Sequence, residues 1–186
     1  ILILTFRFQS WGKTDDIRDF QIEGMSIGDS ALEFFTKDEF DNALKAIYPD
    51  DAYITLEFRN IESKIYDYVS FSYKKNDKNY ITVAVSGGKY FDNKIKDCHK
   101  TQDEVYEEFK KIFPNGESFD DRIVDLKGLN GKIGTSRQSY IKLIEGGFAA
   151  VQCYDYDEKS RMNNMRVNLY SEIYNYWLVL PQIDLY

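Results

Sequence analysis

The strongest constraint on the fold is a change of hydrophobic period inside residues 65–113. Val69, Phe71 and Tyr73 alternate with Ser70, Ser72 and Lys74, which is the period of a strand with one face buried, and Ile81, Val83 and Val85 repeat it. The run Lys75-Asn76-Asp77-Lys78-Asn79 between them is too polar to bury, so the two strands are expected to form an antiparallel hairpin that Gly87-Gly88 ends or bulges. From Asn93 the period changes. Ile95, Cys98, Gln102, Val105, Phe109 and Ile112 recur at intervals of three and four, one face of a long helix with Asp92 as its N-cap and Pro114-Asn115-Gly116 as its stop. That helix is expected to lie across the apolar face of the hairpin with Cys98 pointing inward.

The remaining segments read as additions to the same sheet. Ser30 with Glu33, and Thr36 with Glu39, have capping-box spacing, and Phe35 and Phe40 are placed as a hydrophobic staple, so two short helices are expected, the second running to about Ile47. Tyr53, Thr55 and Glu57 alternate with Ile54, Leu56 and Phe58 as a strand. Ile123-Val124-Asp125-Leu126 reads as a strand, whereas residues 127–136 carry Gly128, Gly131 and Gly134 and read as a mobile loop. Ile141 with Leu143, Val151 with Cys153, and Met165 with Val167 and Leu169 mark three more strands. Ser171 is placed to cap a last helix with Ile173, Trp177 and Leu180 on one face, ended by Pro181. The fold class expected is α+β, an antiparallel sheet of about five to seven strands with a long central helix packed on one face and two short N-terminal helices.

Residues 1–14 read as the remnant of a signal peptide. An apolar run is followed by the small residues Gly12 and Thr14 and then by Asp15-Asp16, and residues 15–186 form a single domain. The net charge of -7 argues against a nucleic-acid partner, which needs a basic surface to displace counterions from phosphates. No apolar run approaches the roughly twenty residues of a membrane span. A periplasmic or secreted chain meets an oxidising compartment, and the two cysteines, Cys98 and Cys153, both fall on inward faces, so a disulfide between them is expected.

Each candidate for chemistry has a plainer reading beside it. Gly28-Asp29-Ser30-Ala31-Leu32 resembles the Gly-Asp-Ser-Leu signature of an esterase family, but the single histidine, His99, lacks the aspartate three places earlier that this family uses, and Lys96 stands there. Cys98 and His99 are helix neighbours pointing about a hundred degrees apart, which does not make a metal site. Asp155-x-Asp157 lacks the third ligand and the glycine of a calcium loop, and Gly128-Leu129-Asn130-Gly131-Lys132 lacks phosphate-loop spacing. No catalytic residue, metal or cofactor is assigned. Tyr66, Tyr68 and Tyr80 are expected on the hairpin face opposite the helix, either as an aromatic binding face or as one expression of a composition rich in Lys, Asn, Ile, Tyr and Phe. The function expected is that of a non-catalytic binding or protein-interaction module for an unknown protein or small ligand of the cell envelope. The alternative is a hydrolase using paired carboxylates, since one histidine leaves little else for acid-base work near neutral pH.

Residues 19–32, together with Tyr66-Asp67-Tyr68, Lys74-Lys75-Asn76-Asp77-Lys78, Arg166-Val167-x-Leu169 and Tyr174-x-x-Trp177-Leu178, resemble a family of small exported proteins of unknown function from AT-rich marine bacteria. The resemblance implies a signal peptide and a cysteine in both the central helix and a late strand, matching Cys98 and Cys153. It supplies no activity, and the chain departs from it after Trp177. Gly24-Met25-Ser26 and the helix-helix-strands order are more distantly similar to inhibitor-like and outer-membrane assembly lipoprotein domains.

Overall fold

The computed structural model describes residues 5–6, 16–46, 48, 51–59, 61–92, 94–128, 131–157 and 162–183. Of the expected signal-peptide remnant only Thr5–Phe6 (β1) is among them, paired antiparallel with Phe20–Gln21 (β2); the rest of that expectation lies outside the described residues. Three-residue 3-10 turns cover Ile17–Asp19 and Ala31–Glu33, and Lys37–Asn42 forms helix α1. Strands β3 (Leu44–Ala46), β4 (Tyr53–Phe58), β5 (Tyr68–Lys74) and β6 (Thr82–Tyr90) follow, then the long helix α2 (Ile95–Ile112). Strands β7 (Glu117–Gly128), β8 (Gly131–Lys142), β9 (Phe148–Tyr156) and β10 (Asn164–Tyr170) lead into helix α3 (Glu172–Ile183). All of β3 to β10 form one antiparallel sheet of eight strands, in the order β3-β4-β5-β6-β10-β9-β8-β7. Two four-stranded meanders, each preceded by a helix, thus meet edge to edge along β6 and β10, with Val167 opposite Gly87.

Eight strands correct the expected five to seven, and the excess comes from both ends of the sheet. The second N-terminal helix stops at Asn42 instead of continuing to about Ile47, because Ala43 turns to extended backbone and Leu44–Ala46 become edge strand β3. The first is only a 3-10 turn. Within the expected loop at residues 127–136, residues 127–128 belong to β7 and residues 131–136 to β8, paired antiparallel, and the two residues between lie outside the described ones. The Thr36–Glu39 capping box does form, and it holds a helix that buries no residue of its own.

Side-chain alternation divides the sheet into two faces. One carries Leu56, Val69, Phe71, Val85, Leu169, Val167, Met165, Val151, Cys153 and Ile141, all in the buried core. Helix α2 covers this face through Cys98, Gln102, Val105, Tyr106 and Phe109, lying across β9 with β8 and β10 at its sides, and not across the β5–β6 hairpin. The disulfide Cys98–Cys153 ties α2 to β9. The hairpin is covered instead by residues 17–31, where Glu23 and Gly24 take positive φ in a tight turn bridging Ile22 and Met25. Further along, Thr82 donates its hydroxyl to the Ser26 carbonyl at 2.6 Å. Lys94, not Asp92, is the N-cap of α2, and it makes no side-chain cap bond.

Helix α3 returns over the opposite face. Ser171 Oγ accepts from the Tyr174 amide, as a cap should. Of the expected face Trp177 does pack inward, 4.8 Å from the Tyr53 ring, but Ile173 is 74 % exposed and Tyr174, at 2 % exposure, takes its place; the side chain of Leu180 lies outside the described ones. Pro181 falls within the last turn and does not precede it. Among the described residues no helix is long and apolar enough to cross a membrane.

Candidate functional site

Gly87 and Gly88 sit in mid-strand, and the structure shows why neither carries a side chain. A Cβ on Gly87 would fall 2.5 Å from the Tyr66 ring on the α2 face, and one on Gly88 would fall 1.9 Å from Tyr68 Cζ on the other. Both tyrosines therefore cross β6 over bare backbone, on opposite sides. The Tyr68 ring reaches β10, where its hydroxyl donates to Asn164 Oδ1 at 3.0 Å and accepts from Arg166 Nε at 3.0 Å. The Arg166 guanidinium lies 4.8 Å from the centroid of Tyr154 and 5.8 Å from that of Tyr68, so two rings fix its plane.

The face around this arginine is polar. Across the strands Arg166 stands in register with Gly88 of β6 and Gln152 of β9, Gln152 with Gln138 of β8, and Gln138 with Arg122 of β7. Tyr154 donates to Gln152 Oε1 at 2.6 Å and stacks beside Tyr156 at 6.2 Å between centroids and 14° between planes. Ser70, Ser86 and Asn168 are buried next to the row. At the far end Tyr174, Ser72 and Thr55 share hydroxyl hydrogen bonds beneath α3. Arg166, Gln152, Gln138, Tyr154 and Tyr156 are half-buried and Arg122 is exposed.

The electrostatics keep this cluster in one protonation state. Burial lifts the Tyr68, Tyr154 and Tyr170 phenols above their ordinary range, so all three remain neutral. Burial works against the Arg166 charge, yet its pKa is raised: were the neighbouring tyrosines Tyr68, Tyr154 and Tyr156 to ionise they would hold the cation, and the Tyr68 hydroxyl accepts its Nε hydrogen, so it stays charged. Among the described residues no carboxylate lies in ion-pair range of Arg166, whereas Arg137 is held by Asp103 at 2.7 Å and by Asp121.

The expected aromatic face does not assemble. Tyr66 is 4 % exposed in the core on the α2 side, and Tyr80 packs edge-on against Phe40 at 5.3 Å, also on that side. Only Tyr68 lies on the opposite face, and it is buried there as a support for Arg166. The Ser30 hydroxyl donates to the Asn79 carbonyl at 2.8 Å, and Asp29 accepts from the Ser26 amide, which makes the Gly-Asp-Ser stretch a backbone clasp. Asp155 accepts from Asn163. Where carboxyl pKa values are displaced, at Asp16, Glu39 and Asp51, hydrogen bonds to their partners hold them low, the opposite of what a general acid needs. Two surface clefts, of about 350 and 260 Å³, flank α1 and are remote in the sheet from this row; Lys37, Phe40 and Tyr80 line the larger.

Arg166, Tyr154, Gln152 and Gln138 are what the reading of apolar periodicity passed over. The signal was present in the same alternation: Asn164, Arg166 and Asn168 separate Met165, Val167 and Leu169, so they had to share the other face. No known family model, curated protein or solved structure matches the chain, and the site stands on its geometry.

Proposed function

We propose that this chain is an exported, non-catalytic binding module whose ligand or partner rests on the polar sheet face around Arg166. The observation that carries the reading is a half-buried guanidinium, fixed by Tyr68 and Tyr154, whose terminal nitrogens have no partner among the described residues. A guanidinium whose plane is fixed by its neighbours, with terminal donors open among the described residues, is pre-organised to take an acceptor from a ligand. The Cys98–Cys153 disulfide supports an oxidising compartment, and the resemblance of residues 19–32 to small exported proteins points the same way. The downward displacement of Asp16, Glu39 and Asp51 favours binding over the paired-carboxylate hydrolase.

The test is capture from a cell-envelope extract by the immobilised wild-type protein and by Arg166→Gln, with mass spectrometry of what elutes. Arg166→Gln loses the hydrogen bond to Tyr68, so its melting temperature should fall; a component retained by the wild type and lost by a variant that is still fully folded at the assay temperature supports the reading. Equal capture by both proteins removes this face as the site.

A further inference from the structure

The row beside Arg166 has a chemistry narrower than general binding. Its members in register are Arg166, Gln152, Gln138 and Arg122, one from each of four adjacent strands. Neighbouring strands are about 4.8 Å apart, so the backbone of the two arginines is separated by roughly 14 Å, with two amides between. The side chains of Arg122 and Gln138 have no hydrogen bond or ion pair among the described residues, and Gln152 has its Oε1 occupied by Tyr154 and Asn168, which leaves its amide hydrogens for another acceptor. Tyr154 and Tyr156 lie nearly parallel beside the row.

A guanidinium fork matches a carboxylate in two parallel hydrogen bonds. Side-chain amides offer a donor and an acceptor together, which suits hydroxyl groups. A peptide is a poor occupant. Its own backbone amides and carbonyls would be desolvated against a sheet face whose backbone groups are already paired within the ladder, and it would gain no strand-to-strand bonds there.

We propose that this row is a subsite for an acidic saccharide, with carboxylates on Arg166 and Arg122 and hydroxyls on Gln152 and Gln138. The inference rests on the reading of this face as the ligand face. The overall charge of -7 repels such a ligand at long range, so recognition depends on contact with the two arginines.

The experiment is calorimetric titration with hexagalacturonate and with its fully methyl-esterified form in about 0.1 M salt, where the Debye length of about 10 Å mutes the general repulsion. The acid should bind at least about tenfold more tightly than the ester, and Arg166→Gln should abolish the difference. Arg166→Lys should not restore it, because a point charge lacks the fork. Arg122→Gln, at an exposed position where folding is not at stake, should narrow the ratio while leaving thermal unfolding unchanged. Equal affinity for acid and ester, or binding of neither, overturns the proposal. If neither saccharide binds while Arg166→Gln still loses capture of an envelope component, the ligand class is wrong and the binding face stands; if that capture is also unaffected, both readings fall.

Discussion

Replacing Gly88 with Ala tests whether the crossing of Tyr68 over β6 is what positions Arg166. The added methyl falls 1.9 Å from Tyr68 Cζ, against a ring pinned at its far end by hydrogen bonds to Asn164 and Arg166. Gly88 is not among the positive-φ positions, so Ala fits the backbone and the whole effect comes from the collision. Overpacking costs about 1–3 kcal/mol, and loss of the bond to the charged guanidinium adds about 1.5–3 kcal/mol, for a total of about 2.5–6 kcal/mol. Tyr68→Ala, which empties a fully buried site, should cost about 3–5 kcal/mol by itself. In that background Gly88→Ala meets no ring, and the lower flexibility of Ala should make it neutral or stabilising by about 0.5 kcal/mol. The coupling energy from urea unfolding of the four proteins should therefore reach about 3 kcal/mol. Additivity within about 0.5 kcal/mol would mean that the ring can leave Gly88 without loss, and the account of Arg166 positioning would be wrong.

Two further outcomes follow from the fold. Changing Cys98 and Cys153 together to Ala opens a loop spanning 55 positions, so stability should fall by about 4 kcal/mol and the urea dependence should steepen as the unfolded chain expands; a lower midpoint with an unchanged slope would refute the loop-entropy account. His99 is held below its ordinary pKa by burial and by Arg137, so the unfolded chain takes up a proton first as pH falls, and this contribution to stability is full above about pH 6.5 and is lost as pH drops toward the folded-state value. His99→Gln should flatten the decline in stability between about pH 7 and 5.5, and identical slopes in the two proteins would refute the assignment.

What the sequence made legible were the elements whose burial is one-sided. In β5, β10 and α2 the apolar residues stand at intervals that a single buried face requires, and all three formed where their periods place them. Strand β7 is an edge strand with Ile123 at 63 % exposure and acidic residues throughout, so no face of it alternates. Its partner β8 begins among glycines that read locally as loop. The place where α2 docks was not legible either, because a helical period says which face is buried and nothing about what buries it. That choice is long-range: Cys98 joins Cys153 of β9, and Gln102 donates to the Val151 and Arg137 carbonyls at 3.1 Å each.

The candidate site was hidden by the assumption that the polar residues of an alternating strand face water. On this sheet they do not, since Ser72 is 2 % and Asn168 1 % exposed, and α3 doubles back after Tyr170 to place the Tyr174 hydroxyl on Ser72 and Thr55. A second covered layer changes the meaning of each polar residue beneath it, because a buried amide or guanidinium needs a partner and an exposed one does not. Gly87-Gly88 is the local trace of that layer. Read alone, two glycines in a strand suggest its end; read with Tyr66, just before the neighbouring strand, and Tyr68, at its start, they mark two large rings crossing bare backbone on opposite faces. One ring closes the core over β6. The other reaches β10 and holds Arg166 by Nε, so that its terminal nitrogens, without a partner among the described residues, stand over the polar face, on the side of the sheet away from the clefts beside α1.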